Sequence, residues 1–153
     1  MDKLDILHRL RAAKAAHISW VQRAKLLIEG FTINEAATPI NSKECEFGKW
    51  FYSDGQRLNE IRNNPIESMQ EIERIHFKLH DMYLNIYDIY HDEEEKGFFA
   101  KIFHKKKQVS EEDKNLAMKY YEEMDVISQA LVKALNLMER RLNVVNDDEI
   151  ASI

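Results

Sequence analysis

The chain has 153 residues, of which 44% are hydrophobic and 32% are charged, so it is long enough to bury one hydrophobic core. Its formal net charge of −5 gives no basic surface for nucleic acid, and no apolar run approaches the roughly 20 residues of a membrane span. A single cysteine excludes an intrachain disulfide, and the first residues lack a signal-peptide core. We therefore expect a cytoplasmic domain that binds neither nucleic acid nor membrane.

Helices dominate the predicted secondary structure, since the chain contains only four glycines and two prolines. The first predicted helix covers residues 3–29, where apolar residues recur at three- and four-residue steps, and Gly30 is placed to end it. His17 lies on the apolar side of this helix, with Trp20 one turn further along the same side.

After an irregular connection, a short second helix is predicted. Either Asn41 or Ser42 is suited to cap it, which places Cys45 in its first turn. There the backbone N–H groups and the helix dipole favour a thiolate, the form of cysteine that binds metals and reacts with oxidants. The sequence Ser53-Asp54-Gly55 interrupts this segment before another turn or two of helix.

A long third helix is predicted to begin at Pro65, because Asn64 is suited to its cap and proline to its first position. His76 and His80 lie on its inward side and point the same way, since they are four residues apart. The other residues predicted to face inward are Met69, Ile72, Leu79, Tyr83, Ile86, Tyr87 and Tyr90.

The rest of the chain is predicted to form a loop with a short apolar helix, over residues 91–107, and then a fourth long helix. Ser110-Glu111-Glu112-Asp113 resembles a capping box and begins the fourth helix. Its apolar side contains no histidine or cysteine and consists of Ala117, Tyr120, Met124, Ile127, Leu131, Ala134, Leu135, Met138 and Leu142. We expect residues 146–153 to be an acidic, frayed tail beyond a domain of residues 1–145.

The predicted fold is all-α: an antiparallel four-helix bundle with a short extra helix and a zinc site in its core. One sulfur and three imidazoles form a complete tetrahedral zinc set, and the four candidate ligands are His17, Cys45, His76 and His80. At about 1.5 Å per residue, the first and third helices in antiparallel arrangement place their histidines at one level. The residues expected to pack around the site are Trp20, Phe47, Gly48 and Trp50. The remaining histidines are expected at the surface: His8, His91 and His104.

Two other kinds of protein stay open as alternatives. A di-iron or oxygen-binding bundle of hemerythrin or ferritin type is suggested by Glu73-Arg74-Ile75-His76, although such sites need a second Glu-x-x-His and further inward carboxylates. A metal-free interaction bundle, in which the four candidates are ordinary core residues, is the other. An enzyme is not expected, since a zinc site with four protein ligands has no vacant position for substrate or water.

The candidate ligands and their neighbours resemble the chemoreceptor zinc-binding (CZB) domain family of bacterial signalling proteins. The family pattern is a histidine with an aromatic residue three positions on, a cysteine followed by a bulky residue, glycine and an aromatic residue, and then His-x-x-x-His. The corresponding sequences are His17-Ile18-Ser19-Trp20, Cys45-Glu46-Phe47-Gly48-Lys49-Trp50 and His76-Phe77-Lys78-Leu79-His80. The resemblance covers roughly residues 4–142.

This resemblance implies a cytoplasmic helical bundle, often a homodimer, whose four candidate ligands hold zinc. It implies a sensor of zinc or of oxidants such as hypochlorous acid, in chemotaxis or cyclic-di-GMP control, with a chemoreceptor or a diguanylate cyclase as output partner. No output domain is recognisable in this sequence. We expect Cys45 to be the redox switch, because it is the one ligand that an oxidant converts readily. A further argument for a homodimer is an aromatic group consisting of Tyr83, Tyr87, Tyr90, Phe98, Phe99 and Phe103. The alternative interpretation is that these residues, the tyrosines above all, pack within one chain.

Overall fold

The computed structural model describes residues 1–31, 39–62, 66–91 and 109–153. Over these ranges the chain forms helices and turns and no β-strand, which confirms the predicted all-α bundle. None of the helices in these ranges is long and apolar enough to cross a lipid bilayer. The α-helices are α1 (Lys3–Ile28), α2 (Glu46–Phe51), α3 (Met69–Tyr90), α4 (Glu111–Val144) and α5 (Asp147–Ala151), and a 3-10 helix spans Asp54–Glu60.

Local capping fixes the ends of the long helices. At the start of α1 the Asp2 carboxylate accepts hydrogen bonds from the backbone N–H groups of Leu4 and Asp5. Gly30 follows the helix with a φ of +88°, a conformation that favours glycine. At the start of α4 the Ser110 hydroxyl accepts from the Asp113 N–H at 3.1 Å and donates to the Asp113 carboxylate at 2.8 Å, so the predicted cap is present.

The long helix α4 packs against both α1 and α3. It runs antiparallel to α1: Lys3 donates to the carbonyl of Val145, whereas Lys14 donates to the Asn136 side chain at 2.7 Å. Each large apolar side chain buried between the helices contributes about 1.5–3 kcal/mol. The largest fully buried side chains are Tyr83, Phe51, Ile6, Leu10, Leu58, Ile66, Ile72, Leu79, Ile86, Met124, Leu131 and Leu135.

Helices α1 and α3 run parallel, which corrects the predicted antiparallel arrangement of these two helices. Contacts between them advance in the same direction along both: His17 with His76, Trp20 with Tyr83, and Ile28 with Tyr90. The histidines do lie at one level, as expected. Both helices pass this level in the same direction.

The segment between α1 and α3 explains the parallel arrangement. Cys45 lies beside His76, Trp50 lies under the guanidinium of Arg9, and the Arg62 N–H donates to the Glu149 carboxylate of α5 at 3.0 Å. The chain therefore descends along α1 through α2 and the 3-10 helix until it reaches the end where α1 began. The predicted antiparallel arrangement required the third helix to begin at the opposite end of the bundle, near the end of α1.

One predicted helix boundary also needs correction. Helix α3 begins at Met69 rather than Pro65, because residues 66–68 form a turn in which Ile66 is buried in the core. Asn64 and Pro65 themselves lie outside the described residues, and so do residues 92–107 of the segment predicted to hold a short apolar helix.

Residues 146–153 are not a frayed tail, since they contain α5. Asn146 caps this helix, Ile150 is fully buried, and the N-terminal ammonium of Met1 donates to the carbonyls of Ile150 and Ile153 at 3.1 and 2.9 Å. The acidic composition suggested a solvated tail, but the two isoleucines fasten it to the bundle. The helix thereby closes the end of the bundle where α1 starts.

Candidate metal centre

Cys45 is the N-cap of α2, one position before the first turn in which it was predicted. Its sulfur accepts a hydrogen bond from the Gly48 N–H at 3.1 Å, in the way that a serine or aspartate oxygen does at this position. Asn41 caps the turn before it instead, accepting at its side chain from the Lys43 N–H at 2.9 Å. The sulfur is thus held at a fixed helix start.

Gly48 allows the backbone before Cys45 to fold closely over α2. A β-carbon at this position would lie 1.8 Å from the carbonyl oxygen of Ser42. That carbonyl in turn lies 3.3 Å from the Cys45 sulfur, where it accepts from the thiol. The glycine in the motif is therefore required by a close backbone approach, and any side chain there would displace the sulfur.

Two histidines are oriented by backbone carbonyls. The Nδ1–H of His17 donates to the Ala13 carbonyl at 2.7 Å, and the Nδ1–H of His80 donates to the Ile40 carbonyl at 3.0 Å. Each ring then has its proton on Nδ1 and presents the lone pair of Nε2, which is the usual arrangement of a metal-binding histidine. The sequence contained no signal for Ile40, because a backbone carbonyl acts through its position and not its residue type.

The four candidate ligands meet at one point in the core. Each contributes one ligand atom, and these four atoms all lie within 4.8 Å of one another. The four residues are His17, Cys45, His76 and His80. The His76 Nε2 is 3.3 Å from the Cys45 sulfur and 3.1 Å from the His80 Nε2. A tetrahedral zinc ion separates two nitrogen ligands by about 3.3 Å and a nitrogen from a sulfur by about 3.6 Å, so the two distances at His76 are close to those around one such ion.

The chemistry of this group also fits a cation. The three imidazoles are at most 3% exposed, and burial lowers the pKa of His80 to about 4 and that of His76 to about 2, the neighbouring histidines adding to the effect at His76. Burial also lowers the pKa of His17. All three rings are therefore neutral at pH 7, the form that binds metal. Convergent lone pairs in the interior repel one another unless a positive ion lies between them.

The pKa of Cys45 is raised, not lowered as its position at a helix start suggested. Burial is the largest cause, and the N–H groups of Gly48 and Phe47 oppose it only in part. The thiol is therefore protonated at neutral pH when no cation is beside it. A bound metal ion supplies the charge that stabilises the thiolate.

Aromatic side chains enclose the group. The centroids of the Trp20 and His80 rings are 4.1 Å apart, and the Phe47 and His76 rings are nearly perpendicular with centroids 5.1 Å apart. Trp50 packs on Phe47 at 5.9 Å, one layer further from the ligands. Trp20, Phe47 and Trp50 thus lie around the group. Gly48, the fourth residue expected there, lies beside the Cys45 sulfur, to which its N–H donates.

The di-iron alternative loses its structural basis. In the ranges that the structure describes, no carboxylate belongs to the group of converging ligand atoms, and Glu73 lies outside it. A di-iron site requires several such carboxylates. The other histidines within these ranges are also absent from the group: His8 is exposed, and His91 stacks on Tyr87 with centroids 3.7 Å apart, while His104 lies outside the described residues.

Comparison with known proteins gives one family match. Residues 17–87 match the chemoreceptor zinc-binding domain (CZB), so the matched segment begins at the first candidate ligand and contains the other three. No curated protein and no solved structure matches the chain. Both the donor set and the family match therefore indicate zinc as the metal. Residues 17–87, slightly under half of the chain, are thus similar to the chemoreceptor zinc-binding domain family.

Proposed function

We propose that the chain is a sensory module of bacterial signalling that responds to zinc or to oxidants such as hypochlorous acid, in chemotaxis or cyclic-di-GMP control. The observation that carries this proposal is the unequal exposure of the ligands. Cys45 is half-buried, whereas the three histidines are buried. The one ligand that oxidants attack is thus also the one that solutes reach most easily.

Oxidation of Cys45 is the proposed signal. The thiolate attacks hypochlorous acid, an S–O bond forms as the O–Cl bond breaks, and chloride leaves with the electron pair. The sulfur is oxidised by two electrons to a sulfenic acid, which is a poor zinc ligand. Three neutral imidazoles remain, and they bind zinc more weakly than the complete set of four ligands.

The movement that follows is proposed to be confined to residues 39–45. Helix α2 is anchored by Phe47, Trp50 and Phe51, all buried in the core. By contrast, the Ile40 carbonyl and the Cys45 sulfur connect the preceding segment directly to His80 and His76. Loss of the sulfur ligand therefore releases this segment and leaves the long helices in place.

Metal analysis of protein purified without added metal tests the proposal. About one zinc per chain supports it, whereas about two irons support the di-iron alternative and no metal supports the interaction bundle. Hypochlorous acid is then added with a chelating dye present. Release of zinc from the wild type as Cys45 is oxidised supports the switch. Zinc that stays bound to protein with oxidised Cys45 contradicts it, as does release that merely unfolds the bundle.

The remaining parts of the proposal concern assembly, location and partners. We propose a cytoplasmic homodimer without catalytic turnover, coupled to a chemoreceptor or a diguanylate cyclase. Exposed apolar side chains on the long helices support association, among them Ile18, Val126 and Val144. Tyr83 does not, since it is buried within its own chain, and Phe98, Phe99 and Phe103 lie outside the described residues. Light scattering at micromolar concentration tests this, and a monomer contradicts it.

A further inference from the structure

A cavity of about 710 Å³ lies between α1 and the segment of residues 39–50. This is within the range of volumes that hold small molecules in proteins. The residues that line it include Ala12, Ala16, Glu44, His17, Cys45 and His80. Three of the four candidate zinc ligands are therefore in its wall.

The fourth ligand, His76, is absent from the lining and fully buried. The metal centre is thus closed on the α3 side, behind His76, and reached from the α1 side. Cys45 is the ligand with the greatest exposure on that open side. A solute that approaches the centre through this cavity meets the sulfur and two imidazole rings.

The α1 wall of the cavity consists of small side chains. Ala12 and Ala16 are exposed and one helical turn apart, and Ala13 lies beside them. Larger residues at positions 12 and 16 would project into the space in front of Cys45, because side chains four apart on a helix lie on one face. The width of the cavity therefore depends on these two alanines.

The charges at the cavity are paired. Arg9 binds the Asp5 carboxylate at 2.9 Å, and Lys49 binds the Glu46 carboxylate at 2.6 Å. Glu44 adds a negative charge to the lining. Because no sign of charge dominates, the lining gives little preference between neutral and charged solutes of equal size.

We propose that this cavity is the route by which small reagents, and zinc chelators, reach the metal centre, and that Ala12 and Ala16 set the size of solute admitted. The inference rests on the proposed function for its zinc part only. Access to the Cys45 sulfur through the cavity is a property of the metal-free protein as well.

The first test measures alkylation of Cys45 by iodoacetamide in metal-free protein. A sulfur–carbon bond forms, iodide leaves and the thiol proton passes to solvent. Ala12→Leu and Ala16→Leu should each slow the reaction about tenfold, a change of about 1.4 kcal/mol in activation free energy. Ala15→Leu is the matched control, because Ala15 is on the same helix, exposed and outside the cavity, and leucine is also a good helix former. Unchanged rates in the first two variants, or equal slowing in the control, would overturn the proposal.

A second test needs no substitution and so does not depend on how the variants fold. Wild-type protein is treated with N-ethylmaleimide and with a maleimide bearing a polyethylene glycol chain, and each rate is divided by the rate for the same protein unfolded in urea. The large reagent should be about tenfold more hindered than the small one. Iodoacetate and iodoacetamide, which differ in charge at similar size, should be hindered to a similar degree. Equal hindrance of large and small reagents overturns the proposal.

The zinc part is tested by transfer of zinc from loaded protein to a chelating dye. Ala16→Leu should slow the transfer about tenfold and leave the equilibrium affinity unchanged. Equal transfer rates in Ala16→Leu and wild type contradict the route for chelators. If the wild type binds no zinc, the proposed function fails, and the alkylation tests still decide the route.

Discussion

The sulfur of Cys45 lies 3.3 Å from Nε2 of His76, although the two residues are 31 positions apart in sequence. This contact joins the start of α2 to α3. It places the single thiol against the most deeply buried imidazole of the group.

Replacing Cys45 by serine should separate its two roles. Serine caps a helix start as well as the cysteine does, so metal-free Cys45→Ser should unfold at nearly the same urea concentration as the wild type. Cys45→Ala loses the cap and should lose about 1 kcal/mol of unfolding free energy. Both should bind zinc at least about 100-fold more weakly, since even outer contacts of a metal site are worth about 10–100-fold. Competition with a chelating dye measures the affinity, and His8→Ala, at an exposed histidine, is the control.

Gly48→Ala should damage the centre without touching a ligand. The added β-carbon would meet the Ser42 carbonyl at 1.8 Å, so the backbone before Cys45 has to move. We expect a loss of at least about 2 kcal/mol in unfolding free energy together with weaker zinc binding. Gly30→Ala is the comparison, since nothing lies within 4 Å of its added carbon and only its positive φ is unfavourable. That variant should lose about 1 kcal/mol and keep its zinc affinity. Equal effects of both substitutions would refute the role given to Gly48.

The metal-free protein should lose stability as the pH falls from about 6.5 to about 4. The pKa of His80 in the fold is about 4, below its ordinary value of 6.5, so the unfolded chain takes up the proton first. Stability from this group is full above pH 6.5 and is lost progressively down to pH 4. Urea unfolding at several pH values in the presence of a chelator measures the slope. His80→Gln should have a shallower slope over this range, and an unchanged slope would contradict the assignment.

The Cys45 thiol of the metal-free protein should titrate above its ordinary pKa of 9.0, because burial raises it. Ultraviolet absorbance of the thiolate, followed against pH with a chelator present, measures this directly. Cys45→Ser provides the baseline. Adding zinc at pH 7 should produce the thiolate signal at once, since the ion displaces the proton. A thiolate that is already present at pH 7 without metal is the opposite result.

Glu139 should matter for stability and not for zinc. Its carboxylate accepts hydrogen bonds from Lys14 and Arg11 of α1, each at 2.6 Å. The hydrogen bond from Lys14 is the main cause of the lowered pKa of Glu139. Glu139→Gln should reduce the free energy of unfolding by about 1 kcal/mol, the upper range for such ion pairs. The control is Glu46→Gln, whose exposed partner is Lys49 on its own helix, and which should change stability little. A zinc affinity altered by Glu139→Gln would be unexpected.

Sequence patterns predicted the helix faces because these depend on local spacing, whereas the four candidate ligands were chosen by their donor chemistry. The cap at Ser110, the end of α1 at Gly30 and the inward direction of His76 are all consequences of residues within a turn or two of each other.

Long-range features were beyond such patterns. The parallel course of α1 and α3 depends on how far the chain descends after Cys45, which no periodicity records. Ile150 is buried at the end of the bundle where α1 begins, a contact between distant parts of the chain. The acidic residues around it therefore wrongly suggested a solvated segment. The raised pKa of Cys45 depends on the depth of the cap in the fold, a tertiary effect that outweighs the helix dipole.

Helix α4 contributes to the fold of the domain and not to the candidate metal centre. Parallel helices have parallel dipoles, which repel, and α4 offsets this by lying antiparallel against both α1 and α3. It contributes no ligand and lies entirely beyond the family match at residues 17–87. A fragment of residues 1–91 would contain every candidate donor atom together with α1 and α3, and yet lack the surface of α4 on which these two helices assemble. Such a fragment should bind zinc only as a poorly ordered peptide, and adding α4 as a separate peptide should restore the helical signal.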